Sequence, residues 1–387
     1  MKFRDSSVLG GMPVDRFLRT HWQKQPMVVR GAFPNLEDPL SADERAGLAC
    51  ESDVDSRLVI ERAGRKAWQV IRGPQKPATL RRLPRSHWTL LVESVDRHSP
   101  AIAALADAFS FIPRWRMDDV MVSLAPIHGT VDAHIDSYDV FLIQGQGRRR
   151  WEVDRRSRPE YRPGLDLRIL KRFRAEESWV LDPGDMLYVP PGVGHRGVTV
   201  ASDAEVALTY SIGFRAPSTA DLLSTLLSKA LANETPGLFR DAGRTPARDQ
   251  GQISGEDLEA LRRYLVSDIE GLAGDAWAIA MGETVTAGGR GQAPTRVPRP
   301  ALVRRLAGGT PVRPVAAARL AWAPLDRGQA AIFVNGESRV LPRSQAFAAP
   351  FLCGNASAAS ARRLASSPAL VSLTSELFRA GVVRWAE

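Results

Sequence analysis

The chain is expected to be mainly β in its first half and helical beyond it, with a jelly roll or related barrel over about residues 117–214. Three observations predict this. Between 117 and 214 short apolar runs follow one another closely, punctuated by Gly, Pro and Asp, which is the pattern of many short antiparallel strands. After FRAP (214–217) the apolar residues switch to three- and four-residue spacing. The length, 387 residues, exceeds what one ordinary core organises.

Taken in order, VDRFLRTHWQ reads as a short helix and PMVVRGAF as a strand. SADERAGLAC (41–50) reads as a helix with Ser41 at its N-cap and Glu44 completing a capping box. SRLVIE and KAWQVIRG read as strands, and residues 87–109 carry helical periodicity. Past the barrel, Ser218 can cap STADLLSTLLSKALANE, and 254–282 reads as helical throughout. VTAGGRGQAPTRVPRP (285–300) is rich in Gly, Pro and Arg and reads as a linker. AIFVNGESRVL is a hairpin candidate, with Asn335-Gly336 as a type I′ turn.

Composition narrows the class. No window approaches 18 uninterrupted apolar residues, so no membrane span is expected. MKFRDSSVLGGMPVDRF lacks the apolar run of a secretory signal. Two cysteines, Cys50 and Cys353, suit a reducing cytoplasm. The formal charge of +9 fits either a solvated basic surface or attraction to nucleic acid or a ribonucleoprotein.

The chemistry concentrates in VDAHIDSYDVFLIQGQGRRRW (131–151). Strand side chains alternate, so His134 and Asp136 project from one face. DPGDMLYVPPGVGHRG delivers His195 through a turn, a short strand and a Pro-Pro-Gly elbow. Two histidines and a carboxylate make the facial triad of non-haem Fe(II) sites, which leaves positions open for a co-substrate and O₂. On a strand over 148–153, Arg149, Trp151 and Val153 share the apolar face, so Arg149 points inward. A buried guanidinium without an anion is costly. A small dicarboxylate fits, with one end on the metal and the far carboxylate on Arg149.

In FLRTHWQKQPMVVRGAFPN, ESDVDSRLV, HWTLLVESV, HIDSYDVFLIQGQGRRRW, PGDMLYVPPGVGH and YSIGFRAP, which run in order through 17–217, the sequence resembles the JmjC-type 2-oxoglutarate- and Fe(II)-dependent ribosomal oxygenases. It is most similar to their bacterial branch, which hydroxylates an arginine of large-subunit ribosomal protein sixteen. The resemblance implies a cupin-type double-stranded β-helix. It implies His134, Asp136 and His195 as iron ligands, and Arg149 with Ser123 as 2-oxoglutarate contacts. Succinate and CO₂ are the co-products it implies. It also implies three parts: a catalytic domain over 1–216, a helical dimerisation segment over 217–290 that makes a homodimer, and a winged-helix domain over 291–387.

Other residues are candidates for the pocket. Tyr138 shares parity with the ligands, and Tyr210 and Ser211 are candidates for its far wall. An arginine substrate wants carboxylates at the mouth, and Asp118, Asp119 and Asp132 lie near in sequence. Where relatives carry a glycine-rich run before the HxD motif, this chain reads APIHGTVDAHID, a stiffer loop holding His128 and Asp132. Two rival readings keep the metal: histidine hydroxylation or lysine demethylation by the same chemistry, and a metal-binding sensor whose winged helix binds DNA.

Overall fold

The computed structural model describes residues 8–62, 67–233, 238–245, 251–271 and 274–386. The chain forms two compact units, Met1–Ala216 and Pro217–Glu387. Among the described residues no helix is long and apolar enough to cross a membrane.

The first unit is built from β1 (Met27–Val29), β2 (Ser56–Arg62), β3 (Ala67–Arg72), β4 (Trp88–Val92), β5 (Met117–Pro126), β6 (His134–Ile135), β7 (Asp139–Gln146), β8 (Arg148–Asp154), β9 (Glu177–Leu181), β10 (Met186–Val189), β11 (Gly194–Val200) and β12 (Val206–Phe214). They make an eight-stranded sheet, β1-β10-β7-β12-β5-β4-β2-β3, facing a four-stranded sheet, β6-β11-β8-β9, and neighbouring strands run antiparallel throughout the described residues. This is the expected jelly roll, extended at one edge by β2–β4.

Alternation along the strands divides the burial between two cores. Phe141, Tyr188, Tyr210 and Phe214 leave the outer face of the large sheet and pack with Phe17 and Phe109. Val140, Leu142, Trp151, Val153 and Leu187 leave the inner faces and line the barrel. Each such side chain, once buried, contributes roughly 1.5–3 kcal/mol, so a one-residue slip of β7 or β8 would expose a whole face.

Ser41 caps the helix Ala42–Cys50 with both bonds of the capping box. The helical periodicity of 87–109 is realised from residue 95 on, as the α-helix Pro100–Ala106, capped by Ser99, between 3₁₀ turns at Val95–Arg97 and Asp107–Phe109. Residues Trp88–Val92 are instead β4, because Leu90, Leu91 and Val92 find ladder partners on β2 and β5. Tertiary pairing overrides the local pattern there.

In the second unit the stretch expected to be one helical run comprises Gly255–Glu270 and Gly274–Thr286, while 272–273 lie outside the described residues. Ser218 caps Thr219–Asn233 through the Asp221 N–H at 3.0 Å. The segment read as a linker is held down: Gln292 N–H donates to Gly381 O at 2.8 Å and Thr295 N–H to Phe378 O at 3.1 Å. Further on come the helix Arg299–Ala307, β13 (Val312–Pro314), β14 (Leu320–Pro324), β15 (Ala330–Val334), β16 (Glu337–Leu341), three helices ending with Pro368–Arg379, and β17 (Val383–Trp385). Asn335 and Gly336, both at positive φ, close the β15–β16 hairpin as the type I′ signal requires.

Candidate active site

His134 on β6 and His195 on β11 are direct cross-strand partners. The Pro-Pro-Gly elbow is fixed to the same place, since Gly192 N–H donates to Asp136 O at 2.9 Å. The ligand atoms of His134, Asp136 and His195 lie within 4.8 Å of one another. His195 Nε2 is 3.5 Å and His134 Nε2 3.9 Å from Asp136 Oδ2.

Both rings are oriented by their other nitrogen. His134 Nδ1 lies 3.0 Å from Asp132 O, and His195 Nδ1 3.2 Å from Val193 O. A carbonyl only accepts, so each Nδ1 carries the proton and each Nε2 keeps a lone pair for a metal. Burial, then the neighbouring His134, pushes His195 down to about 4, which keeps it neutral. The donor set, N₂O on one face, suits Fe(II).

Arg149 takes the inward place on β8 and is 3% exposed. Its Nη1 donates to Ser123 Oγ at 3.0 Å and to Thr209 Oγ1 at 3.4 Å, and its Nη2 to Gly197 O at 3.4 Å. Among the described residues its Nε has no partner, nor does the buried Nε1 of Trp151. No carboxylate pairs with Arg149 among the described residues, and burial alone pushes it down to about 10. Trp151 stands between floor and triad, 4.9 Å from the Arg149 guanidinium carbon and 6.1 Å from the His195 ring. A Cβ on Gly197 would come 2.7 Å from Trp151 and 2.8 Å from Arg149 Nε, so only glycine leaves room for both. Gly197 is two residues along β11 from His195, about 7 Å of strand, which matches the reach of a five-carbon diacid. Two orphaned donors and an unpaired buried cation at that distance are what such a diacid would satisfy.

The structure sorts the remaining candidates. Tyr138, Asp118 and Asp119 converge, each with an atom 3.7–3.8 Å from the Cβ that Gly213 lacks. A register shift between Ile212 and Phe214 lets the adjacent Asp118 and Asp119 both reach this point. Burial first, then Asp118, Asp96 and Glu93, pushes Asp119 up to about 7, against the Ser94 N–H that it accepts at 2.7 Å. Asp118 meets Arg215 at 3.2 Å. Burial raises Tyr138, and Asp136, Asp119 and Asp118 add to it.

Asp132 is turned to other work: it accepts from Ala133 N–H at 2.9 Å and lies 3.7 Å from Arg162 and 3.9 Å from Arg196. Tyr210 and Ser211 part company. Ser211 faces the barrel interior, whereas Tyr210 is fully buried in the outer core with its hydroxyl on Asp38 at 2.6 Å. Asp139 is also fully buried on the outer side, where it accepts from Tyr188 at 2.5 Å, Gln23 at 3.1 Å and Arg116 at 3.3 Å. Thr209, Gly197 and the Trp151 ring are site residues that the sequence reading did not name as such. Strand alternation backward from Ser211 would have found Thr209.

Residues 104–222 match the JmjC domain family model. The chain is 40% identical over 252 residues to the ribosomal protein uL16 3-hydroxylase of Escherichia coli K12, and the aligned stretch is 65% of either chain, just under two thirds of that relative's length. Over 100% of both chains it superposes on the crystal structure of Escherichia coli YcfD with a TM-score of 0.83 at 30% identity. A structure of YcfD, a ribosomal oxygenase, in complex with cobalt and 2-oxoglutarate matches with a TM-score of 0.80 at 31% identity, covering 97% of this chain and 99% of that one. The likeness therefore extends over the whole chain, and with it the chain belongs to the JmjC-domain ribosomal oxygenase family.

Proposed function

We propose that the chain is an Fe(II)- and 2-oxoglutarate-dependent hydroxylase of an arginine side chain in ribosomal protein uL16, releasing succinate and CO₂. The observation that carries this reading is the buried Arg149, which has no carboxylate partner among the described residues and whose guanidinium reaches Gly197 O, two residues or about 7 Å of strand from the His195 of the triad. Iron bound to His134, Asp136 and His195 would supply the activation of O₂.

The chain's own residues do the rest. Arg149 takes the distal carboxylate of 2-oxoglutarate in a charge-assisted pair, and Ser123 and Thr209 hold its guanidinium in place. Trp151, Leu142, Val153 and Leu187 keep water from that end of the barrel. At the other end Asp118, Asp119 and Tyr138 receive a cationic side chain. Two carboxylates beside a buried hydroxyl favour a guanidinium over an imidazole or a methylated lysine.

The remaining parts follow the same reading. Leu227, Leu258, Leu265, Ile253 and Trp277 are exposed on and beside the helices of 217–290, which supports a homodimer through that segment. Residues 291–387 act as the winged-helix domain, and the enzyme works in the cytoplasm, where ribosomes are made.

Intact-mass spectrometry of isolated uL16 incubated with the chain, Fe(II), 2-oxoglutarate and O₂ tests the reading. The expected result is a gain of one oxygen atom, placed on an arginine by fragmentation and absent with His134→Ala. Succinate without a mass shift would overturn the substrate, and neither product would overturn the chemistry.

A further inference from the structure

The formal charge of +9 is not spread along the chain. Residues 1–290 hold 39 basic and 39 acidic residues, whereas 291–387 hold 13 arginines, no lysine and 4 acidic residues. The entire excess lies in the last quarter. A basic surface that merely reflected composition would be distributed along the whole sequence.

The fold gathers part of this excess. β13 and β17 form a two-stranded ribbon in which Arg313 stands directly opposite Arg384. Alternation turns Val312, Val383 and Trp385 to the core and the two arginines to the other face. Like charges directly opposite one another on a ladder are destabilising. The Arg313 Nε is moreover buried without a partner among the described residues. Two exposed arginines flank the turn into the ribbon. Arg305 lies 4.3 Å over the Trp385 ring, and an Arg362 nitrogen lies 2.9 Å from the Cβ position that Gly309 leaves open. Among the described residues no carboxylate pairs with any of these four, while Arg339 on β16 does pair with Glu376.

We propose that Arg305, Arg313, Arg362 and Arg384 form a docking surface for RNA and bind its phosphodiester oxygens. Guanidinium groups match phosphate with paired donors, and phosphate binding needs only such donors in an uncompensated field. A membrane surface would want apolar side chains beside the charges, but the ribbon turns its apolar face inward. A protein interface would want an apolar anchor at its centre, and the cluster offers only the covered Trp385. The choice of RNA over DNA rests on the ribosomal reading of the first unit; the binding of phosphodiesters does not.

Fluorescence anisotropy of the full chain with a labelled RNA hairpin, titrated over a range of salt, tests this. Binding should weaken linearly in log–log form with salt. Replacing all four with Gln should lower that slope by about 3 and weaken binding roughly tenfold or more. The charge-matched control Arg81→Gln, Arg82→Gln, Arg85→Gln and Arg158→Gln should change it less than about twofold. The milder pair Arg313→Lys and Arg384→Lys, which keeps the charge, should retain the slope. Equal losses in variant and control would overturn the proposal. So would binding of a DNA duplex, polyglutamate or phosphatidylserine vesicles as tight as that of RNA. Hydroxylation of isolated uL16 reads the first unit separately: its absence with RNA binding intact removes the oxygenase reading and leaves this one standing.

Discussion

The two ends of the barrel interior carry opposite charges, and neither charge is fully neutralised by the protein. At the floor Arg149 meets, among the described residues, only hydroxyls, a carbonyl and the Trp151 ring. At the mouth Asp119 is crowded by Asp118, Asp96 and Glu93. On the outer side of the same sheet, Arg116 and the buried Asp139 face each other at 3.3 Å with Tyr188 and Gln23 completing the set. Arg116 and Asp139 on the outer side are thus paired, whereas no ion pair reaches Arg149 or Asp119 among the described residues. A buried unpaired charge costs several kcal/mol, and the proposed function assigns a ligand of opposite charge to each end.

The comparison breaks most completely at the triad between the two ends. Asp136→Ala should abolish succinate formation and metal binding, read by product assay and equilibrium dialysis. Next comes the floor. Arg149→Gln should raise the KM for 2-oxoglutarate about 100-fold, the loss of roughly 2–3 kcal/mol of charged hydrogen bonding. The same variant should unfold no earlier than the wild type, because it removes an uncompensated charge. Gly197→Ala, which pushes a methyl between Trp151 and Arg149, should raise that KM roughly tenfold with the protein-substrate KM unchanged.

The mouth should respond more gently. Asp119→Asn should raise the KM for uL16 several-fold and leave that for 2-oxoglutarate alone. Its effect on stability has a defined sign. Asp119 is pushed up to about 7 from 3.8, so the folded state holds a proton that the unfolded chain releases. The wild type therefore loses stability as pH rises from about 4 to about 7, and the loss is complete above that. Thermal unfolding should show the Asn variant gaining on the wild type across this window and holding a constant lead at pH 8. Substrate binding should show the reverse: wild-type affinity for a cationic side chain rises through pH 7, and that of the Asn variant does not.

How much of this could be read in advance depended on whether the signal was local. Period-two alternation turned Arg149 inward, because β8 is one regular strand, and it placed Asp136 with His134 although β6 ends at Ile135. The same rule extended to β12 would have separated Tyr210 from Ser211 and found Thr209. The convergence of Asp118 with Asp119 was not legible, since adjacent strand residues face opposite ways unless a bulge intervenes, and the register shift at Gly213 lies in the pairing of β12 with β5. Nor was the retirement of Asp132 into contacts with Arg162 and Arg196, residues some 30 and 60 positions away. In HWTLLVESV the helical period was present, but ladder partners on β2 and β5 decided the outcome.

The measurement that bears most directly on the central claim is calorimetric titration, without O₂, of the Mn(II)-loaded chain with 2-oxoglutarate and with 2-oxobutyrate, which lacks the distal carboxylate. Wild type and Arg149→Gln would be compared side by side. The wild type should bind 2-oxoglutarate at least tenfold more tightly than 2-oxobutyrate, and Arg149→Gln should bind the two alike. Discrimination that survives in Arg149→Gln, or that is absent from the wild type, would contradict the assignment of the barrel floor as the seat of a dicarboxylate.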